Sequence, residues 1–288
     1  MPAYPLSDID RATLAYTAVA LLFTALYGPR TLPAAAPLLL GLLLAAVLAG
    51  VLAPRARRSG PAGRLLAEFY PLVLTIALYT HVGLVNLARG VSHDALVQRW
   101  DESIFGCQPS TLWIRTFPSP AWSTLMHAAY LSYYVVLASS SLGLWLSGRR
   151  AEARGTLLAM MVAFYLCYAA HLAFPVAGPR YVLAAVSNAA TSVPLARLTH
   201  RLLEGGSAWG TAFPSSHVAV ALVAAVCAWR GWRPLGAALV PVAVLLTLAT
   251  VYGQLHYAVD ALAGVVVAAL VLWGHARCAR GKPASVDR

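Results

Sequence analysis

Charged residues are scarce in this chain. Asp, Glu, Lys and Arg make up 11% of its 288 residues, whereas 60% are hydrophobic and the mean hydropathy is +0.70. Soluble domains carry about 25% charged residues, so this balance excludes a soluble domain. Apolar runs recur along the whole chain, and no hydrophilic stretch is long enough to form a second domain. The composition therefore predicts one polytopic, all-α membrane domain.

Lysine is almost absent, although the formal net charge is +11. Lys282 is the only lysine, and the arginines lie in short connections between apolar runs. This distribution excludes a nucleic-acid-binding surface and is the positive-inside pattern of membrane proteins. It predicts that both termini are cytoplasmic and that the connections 88–121 and 175–213 lie on the outer side of the membrane.

Cysteine is also rare. The chain has four cysteines and no Cys-x-x-Cys pair, and Cys167 and Cys227 lie inside apolar runs. This pattern excludes a disulfide framework. No cluster of His and Cys has the spacing of a zinc site, and no carboxylate cluster suits magnesium. The sequence predicts no metal and no other cofactor.

Eight apolar segments have lengths near the roughly 20 residues that cross a bilayer. They cover about 12–28, 33–53, 66–87, 122–147, 155–174, 214–230, 235–253 and 256–275. We predict a bundle of about eight transmembrane helices, divided into an N-terminal helix pair in 1–64, a six-helix catalytic core in 65–276 and a cytoplasmic tail in 277–288. The first segment is short.

Two short strings contain residues suited to phosphoryl transfer. Phe213-Pro214-Ser215-Ser216-His217 precedes one apolar segment, and His256 and Asp260 begin another. Because His256 and Asp260 are four residues apart, they share one face of a helix. A carboxylate that accepts the Nδ1–H of an imidazole leaves Nε2 free as a nucleophile. His217 is then available to give a proton to the leaving group.

An anion site is predicted beside these residues. The N–H groups of Ser215 and Ser216 at a helix start, together with the helix dipole, suit a phosphate. Arg180 follows a helix stop and can bind phosphate oxygens in a bidentate manner. Each feature also has a purely structural interpretation, namely helix capping, a buried His–Asp hydrogen bond and arginine snorkelling. The tyrosines Tyr130, Tyr133 and Tyr134 indicate an aromatic belt or a packing stripe.

The outer connections hold further candidates. Asp94 and Asp101 lie in the most polar outer segment, and Arg197 and Arg201 are four residues apart on a predicted amphipathic turn. These side chains are candidates for binding a lipid headgroup or a polyol acceptor. A solvated surface is the alternative interpretation for both pairs.

The two strings resemble signatures of the type 2 phosphatidic acid phosphatase family. Pro214-Ser215-Ser216-His217 is similar to the family's Pro-Ser-Gly-His, and His256 and Asp260 match its His-x-x-x-Asp. The resemblance implies that His256 is the nucleophile, that Asp260 orients it and that His217 is the general acid and base. The reaction would pass through a phosphohistidine and need no metal.

The first family signature is matched only in part. Arg180 stands for its arginine, but Ala173 occupies the lysine position and Tyr181 replaces a proline. Thr250 stands where the family has an arginine six residues before the nucleophile. Gly178-Pro179-Arg180-Tyr181, followed by Phe213-Pro214-Ser215-x-His217 and His256-Tyr257-x-x-Asp260, looks like the branch that contains inositol phosphorylceramide synthase. The resemblance covers roughly residues 80–275.

Three hypotheses follow from the sequence. The first is a phosphotransferase that moves a lipid headgroup to an acceptor, and the second is a phosphatase acting on phosphatidate or a polyprenyl (pyro)phosphate. The third is a non-enzymatic channel, transporter or scaffold. The expected partners are a membrane lipid and the bilayer, with the oligomeric state left open. The expected location is a bacterial inner membrane, with the site on the periplasmic face.

Overall fold

The computed structural model describes residues 5–27 and 35–281. Part of the predicted N-terminal helix pair and the predicted tail from Lys282 onward lie outside these residues. The described part is helical, with one isolated bridge between Val176 and Thr211. Its helices are α1 Asp8–Tyr27, α2 Ala35–Val47, α3 Ala53–Ala56, α4 Pro61–Arg89, α5 Asp94–Phe105, α6 Pro109–Thr116, α7 Pro120–Leu131, α8 Tyr133–Leu146, α9 Arg150–Ala173, α10 Pro179–Val182, α11 Pro194–Gly206, α12 Ser216–Gly231, α13 Arg233–Tyr252 and α14 Ala258–Gly281. A π-helical turn, Leu48–Leu52, joins α2 to α3.

Six helical segments are long and apolar enough to cross a bilayer. They are Asp8–Tyr27, Leu38–Ala56, Pro61–Arg89, Arg150–Ala173, Arg233–Tyr252 and Ala258–Cys278. A seventh span forms if α7 and α8, which meet at a bend of 43°, count as one. Helix α12 is apolar but has only 16 residues. The predicted all-α polytopic bundle is thus confirmed, and the chain is an integral membrane protein.

Helix α12 is the centre of the bundle and packs against α8, α9, α13 and α14. It is rich in alanine and valine, and most of these side chains are buried. Small side chains allow transmembrane helices to approach closely. The approach is close at Gly264 of α14, where an added Cβ would lie 2.6 Å from the carbonyl oxygen of Ser215. This packing places the start of α12 against the first turns of α14.

The bundle has two ends with different chemistry. Helices α4 and α9 begin near Arg64 and Arg150 and finish near Asn86 and His171. The Asn86 side chain donates 3.0 Å hydrogen bonds to the carbonyls of His171 and Gly210, which ties this end together. We call it the histidine end, because His171, His217 and His256 lie there, and the opposite end, with Arg64, Arg150 and Arg154, the arginine end.

The short helix α5 lies at the histidine end between two left-handed glycines. Gly90 ends α4 with a φ of 63°, and Gly106 ends α5 with a φ of 68°. Glycine adopts this conformation without steric cost, which explains both helix ends. The backbone of His93, just before α5, donates to the Pro175 carbonyl at 2.9 Å. These contacts fix α5 against the connection between α9 and α10.

Candidate active site

His256 and Asp260 form a pair at the start of α14. The Nδ1 atom of His256 lies 3.4 Å from Oδ2 of Asp260, and both side chains are buried. The same oxygen accepts the backbone N–H of Tyr257 at 2.9 Å. The Thr250 carbonyl accepts the N–H groups of Leu255 and His256 at 3.0 Å each, which shapes the turn before α14. The carboxylate therefore contacts the imidazole and caps the helix that follows it.

His217 lies on α12 beside this pair. Its ring centroid is 5.8 Å from that of His256, and its Nδ1 is buried with no partner among the described residues. The start of α12 is held by His171, whose Nε2 lies 2.9 Å from the Pro214 carbonyl oxygen. The two histidines of the predicted constellation thus face each other across a short gap.

Two tyrosines of the kinked pair α7 and α8 surround the imidazole of His217. The Tyr130 hydroxyl is 3.5 Å from Nε2 of His217, and the Tyr133 ring centroid is 4.5 Å from the imidazole centroid. The sequence indicated only packing for these tyrosines. The structure places Tyr130 against a candidate catalytic histidine, while Tyr134 is 70% exposed on the outside of the bundle.

Arg180, on the short helix α10, lines the same space as the two histidines. Its Nη1 is buried with no partner among the described residues, and its guanidinium carbon lies 5.6 Å from the Tyr181 ring centroid. Guanidinium N–H groups that lack a protein acceptor are available to an anion. Gly178, at a φ of 96°, turns the chain just before α10, which carries Arg180.

Asp94 holds the turn that presents Arg180. Its carboxylate accepts 2.8 Å hydrogen bonds from the N–H groups of Ala177 and Gly178. It also accepts a 2.9 Å hydrogen bond from the hydroxyl of Tyr257. One carboxylate on α5 therefore connects the Arg180 turn with the residue that follows His256.

Asp101, two turns further along α5, caps α14. Its oxygens accept the N–H groups of Ala258 at 3.2 Å and Val259 at 2.9 Å. Asp94 is 5% exposed and Asp101 is fully buried. Both candidates for headgroup binding are thus engaged by protein groups. Their hydrogen bonds position the turn before Arg180 and the start of α14.

A pocket joins these parts at the histidine end. It is lined by Tyr79, Tyr130, Ala177, Arg180, Tyr181, Leu203, Ser207, Ala208, Thr211, Ala212, His217, Leu255 and His256. Arg180 is the only Lys or Arg side chain among them. The Tyr79 hydroxyl accepts a 3.0 Å hydrogen bond from Thr211, so polar neutral groups complete the wall. Sequence reasoning missed Tyr79 and Thr211, because no local motif marks them.

Three groups predicted to bind an anion either have another partner or lie outside the pocket. The N–H of Ser215 donates to the carbonyl of Asp260 at 2.9 Å, so it is not free to bind phosphate. Its hydroxyl caps α12 by accepting from Val218 at 3.4 Å. Arg197 and Arg201 are exposed on α11 and do not line the pocket. Ser216 is buried at the first position of α12, beside His217.

Two basic residues of the family signatures are missing from this chain, and among the described residues no other cationic side chain takes their place in the pocket. Ala173 ends α9, and the Thr250 hydroxyl donates to the Thr247 carbonyl at 2.7 Å. Arg89 donates to the Leu172 carbonyl and lies over the Tyr27 ring at 4.1 Å, outside the pocket. The pocket therefore has one permanent positive charge.

Burial sets the protonation of groups around the site. It lowers the pKa of His256 to about 4, an effect that the Ala212 carbonyl opposes. Burial also lowers the pKa of His200 on α11, and the charge of Arg180 adds to this effect while Glu204 opposes it. The His256 imidazole is therefore neutral near pH 7, as a nucleophile requires.

Comparison with known proteins assigns a family. A family model described as the PAP2 superfamily matches residues 96–274, which is more than half of the chain. No curated protein and no solved structure matches the chain significantly. In the described residues, no group of three or more His, Cys, Asp or Glu side chains is arranged to hold a metal ion. The matched range contains His217, His256, Asp260 and Arg180, and the chain belongs to the PAP2 superfamily.

Proposed function

We propose that this protein transfers a phosphoryl or phosphoester group from a membrane lipid through a phosphohistidine at His256. Membership of the PAP2 superfamily supports phosphatase or phosphoryl-transfer activity in general. The observation that carries the proposal is the convergence of His217, His256 and Arg180 on one pocket. Asp260 completes the set from beneath His256.

The first half of the reaction forms a bond between phosphorus and His256. Nε2 of the neutral imidazole attacks phosphorus in line with the leaving oxygen, while Nδ1–H donates to Asp260. His217 gives a proton to that oxygen as the P–O bond breaks. Arg180 binds the non-bridging oxygens and balances the charge that develops on them.

The second half reverses these roles. His217 takes a proton from a hydroxyl, whose oxygen attacks phosphorus, and the P–N bond to His256 breaks. If the hydroxyl belongs to water the enzyme is a phosphatase, and if it belongs to another lipid the enzyme is a phosphotransferase. The step needs only His217, His256 and their neighbours, so we expect activity in the presence of a chelator.

The charge of the pocket favours a phosphodiester donor. A phosphomonoester carries a charge of about −1.5 to −2 near pH 7, whereas a phosphodiester carries −1. Arg180 alone matches the single charge, and the neutral hydroxyls around Tyr79 and Thr211 suit a polyol headgroup better than a second charge. This argument supports the transferase branch that resembles inositol phosphorylceramide synthase.

The test is a substrate panel with purified full-length protein in detergent and excess chelator. The donors are phosphatidic acid, a polyprenyl phosphate, phosphatidylglycerol and phosphatidylinositol, each with and without a ceramide or diacylglycerol acceptor. We expect turnover of a phosphodiester and transfer of its headgroup to the acceptor. His256→Ala should abolish it, whereas His275→Ala, at the arginine end, should not. Release of inorganic phosphate from the monoesters alone would identify a phosphatase instead.

A further inference from the structure

The arginine end contains a second cavity, far from the candidate active site. It has a volume of about 300 Å³ and is lined by Pro61, Ala62, Arg64, Leu65, Trp145, Arg150 and Arg154. Its walls come from the first turn of α4, the end of α8 and the start of α9. Helix α4 has 29 residues and so spans about 43 Å at 1.5 Å per residue, which separates the cavity from the histidine end by the thickness of a bilayer.

Within the described part of the chain, two of the three guanidinium groups in this cavity have no acidic partner. Arg154 pairs with Glu68, with Nε 3.0 Å from Oε1. Among the residues that the structure describes, no carboxylate pairs with Arg64 or Arg150. Both are exposed, so two uncompensated positive charges share one concave wall. Paired guanidinium groups are well suited to the oxygens of a phosphate.

An aromatic ring fixes one side of the cavity. The Arg150 guanidinium carbon lies 5.5 Å from the Trp145 ring centroid, within cation–π range. The Trp145 ring packs edge-on against Phe69, with centroids 5.8 Å apart. Trp is enriched at the level of lipid headgroups, where a contact of this kind would orient an arginine toward a lipid phosphate. The positive-inside rule explains why arginines lie at this end, but it predicts neither a cavity nor a contact between arginine and tryptophan.

Exposed apolar side chains that suit acyl chains lie close to the cavity in sequence. Leu65 lines it, and the neighbouring Leu66 and Leu146 are 69% and 75% exposed on helices that cross the membrane. Soluble phosphate would gain nothing from these side chains, whereas a phospholipid would cover them. Basic pockets between transmembrane helices bind anionic lipid headgroups in this way.

We propose that this cavity binds the phosphate of an anionic phospholipid, with Arg64 and Arg150 holding the headgroup and Trp145 lying at its base. The site is separate from the proposed catalytic pocket and does not depend on its chemistry. Its occupant belongs to the leaflet at the arginine end of the bundle.

Native mass spectrometry of the full-length protein in detergent tests this proposal. Phosphatidylglycerol, phosphatidic acid and phosphatidylcholine with the same acyl chains are titrated separately, and inorganic phosphate is added as a competitor. We expect one anionic lipid to remain bound at concentrations that leave phosphatidylcholine unbound. Arg64→Gln with Arg150→Gln should weaken the binding of this lipid by roughly 25-fold, or about fivefold for each arginine.

Matched variants distinguish lipid in this cavity from lipid bound elsewhere on the protein. Arg277→Gln removes a charge at the same end, from an arginine 4.2 Å above the Trp273 ring, and should leave the lipid bound. Arg180→Gln should also leave it bound, which distinguishes it from lipid in the catalytic pocket. Arg64→Lys with Arg150→Lys keeps both charges without the guanidinium geometry, so this variant should bind the lipid more weakly than the wild type and more tightly than the Gln variant. A thermal unfolding midpoint equal to that of the wild type shows that the Gln variant is folded. Equal binding by the Gln variant, or full displacement by millimolar phosphate, would overturn the proposal.

Discussion

The carboxylate of Asp94 accepts a 2.9 Å hydrogen bond from the hydroxyl of Tyr257, the residue next to His256. The same carboxylate holds the N–H groups just before Arg180. Two parts of the candidate site, distant in sequence, therefore share one buried acceptor on α5. Since hydrogen bonds to charged groups contribute about 1.5–3 kcal/mol, this acceptor should matter for the geometry of both parts.

Asp94→Asn should lower kcat/KM by about ten- to a hundredfold, because the single amide oxygen cannot replace both carboxylate oxygens as acceptors for the N–H groups of Ala177 and Gly178 and the Tyr257 hydroxyl. The loss should appear mainly in KM, since the Arg180 turn is the part released. Steady-state kinetics with the preferred donor measures it. Glu102→Gln, an exposed change of the same kind on α5, is the control. Equal effects of the two substitutions would show that Asp94 does not position the site.

Asp101→Asn should act on kcat more than on KM. Asp101 caps the first turn of α14 through Ala258 and Val259, and that turn orients His256 and Asp260. Loss of a cap costs about 1 kcal/mol, so a fall of roughly fivefold or more in kcat is expected with a small fall in thermal stability. A change in KM with kcat intact would contradict this role.

Tyr130→Phe removes the hydroxyl that lies 3.5 Å from Nε2 of His217 while the ring remains. We expect kcat to fall by about two- to tenfold, because His217 loses a contact that fixes its orientation. Tyr134→Phe, on the exposed outer surface, should leave kcat unchanged. If both variants match the wild type, Tyr130 is only a packing residue.

The acid side of the pH profile reports His256. The ordinary pKa of histidine is about 6.5, and burial lowers that of His256 to about 4. The neutral imidazole is the nucleophile, so activity is lost only as pH falls through the lowered pKa. With a phosphodiester donor, which does not titrate here, kcat/KM should not fall between pH 7 and pH 5.5, because His256 stays neutral and the lower pH favours the protonated form that His217 needs as general acid. A tenfold loss at pH 5.5 would indicate an ordinary histidine pKa.

Local patterns predicted most of the bundle and the centre of the site. The eight apolar segments correspond to helices, and His217, His256 and Arg180 lie on one pocket as their motifs indicated. The helices follow from hydropathy within each segment, whereas the meeting of the three side chains follows from the membrane side assigned to their connections and from the resemblance to the family signatures. The segment 122–147 corresponds to α7 and α8 together, but the 43° bend between them was not predicted, because hydropathy does not record it.

Contacts between residues distant in sequence could not be predicted from local patterns. From the sequence, Asp94 and Asp101 are candidates for binding a headgroup or acceptor, with a solvated surface as the alternative. In the structure, both accept hydrogen bonds from backbone groups more than 80 residues away. The Ser215 N–H looked free at a helix start, yet the Asp260 carbonyl accepts it. Tyr79 and Thr211 reach the pocket only because α4 lies beside the connection to α12.

A covalent phosphohistidine at His256 is the centre of the proposed mechanism, and direct trapping of that adduct tests it. Full-length protein is mixed with a donor labelled with ³²P, quenched within milliseconds and mapped by mass spectrometry. The mechanism predicts one acid-labile, base-stable label per chain on the peptide that contains His256, absent in His256→Ala and present in His275→Ala. Full turnover with no label on that peptide, or a label that persists in His256→Ala, would contradict the mechanism.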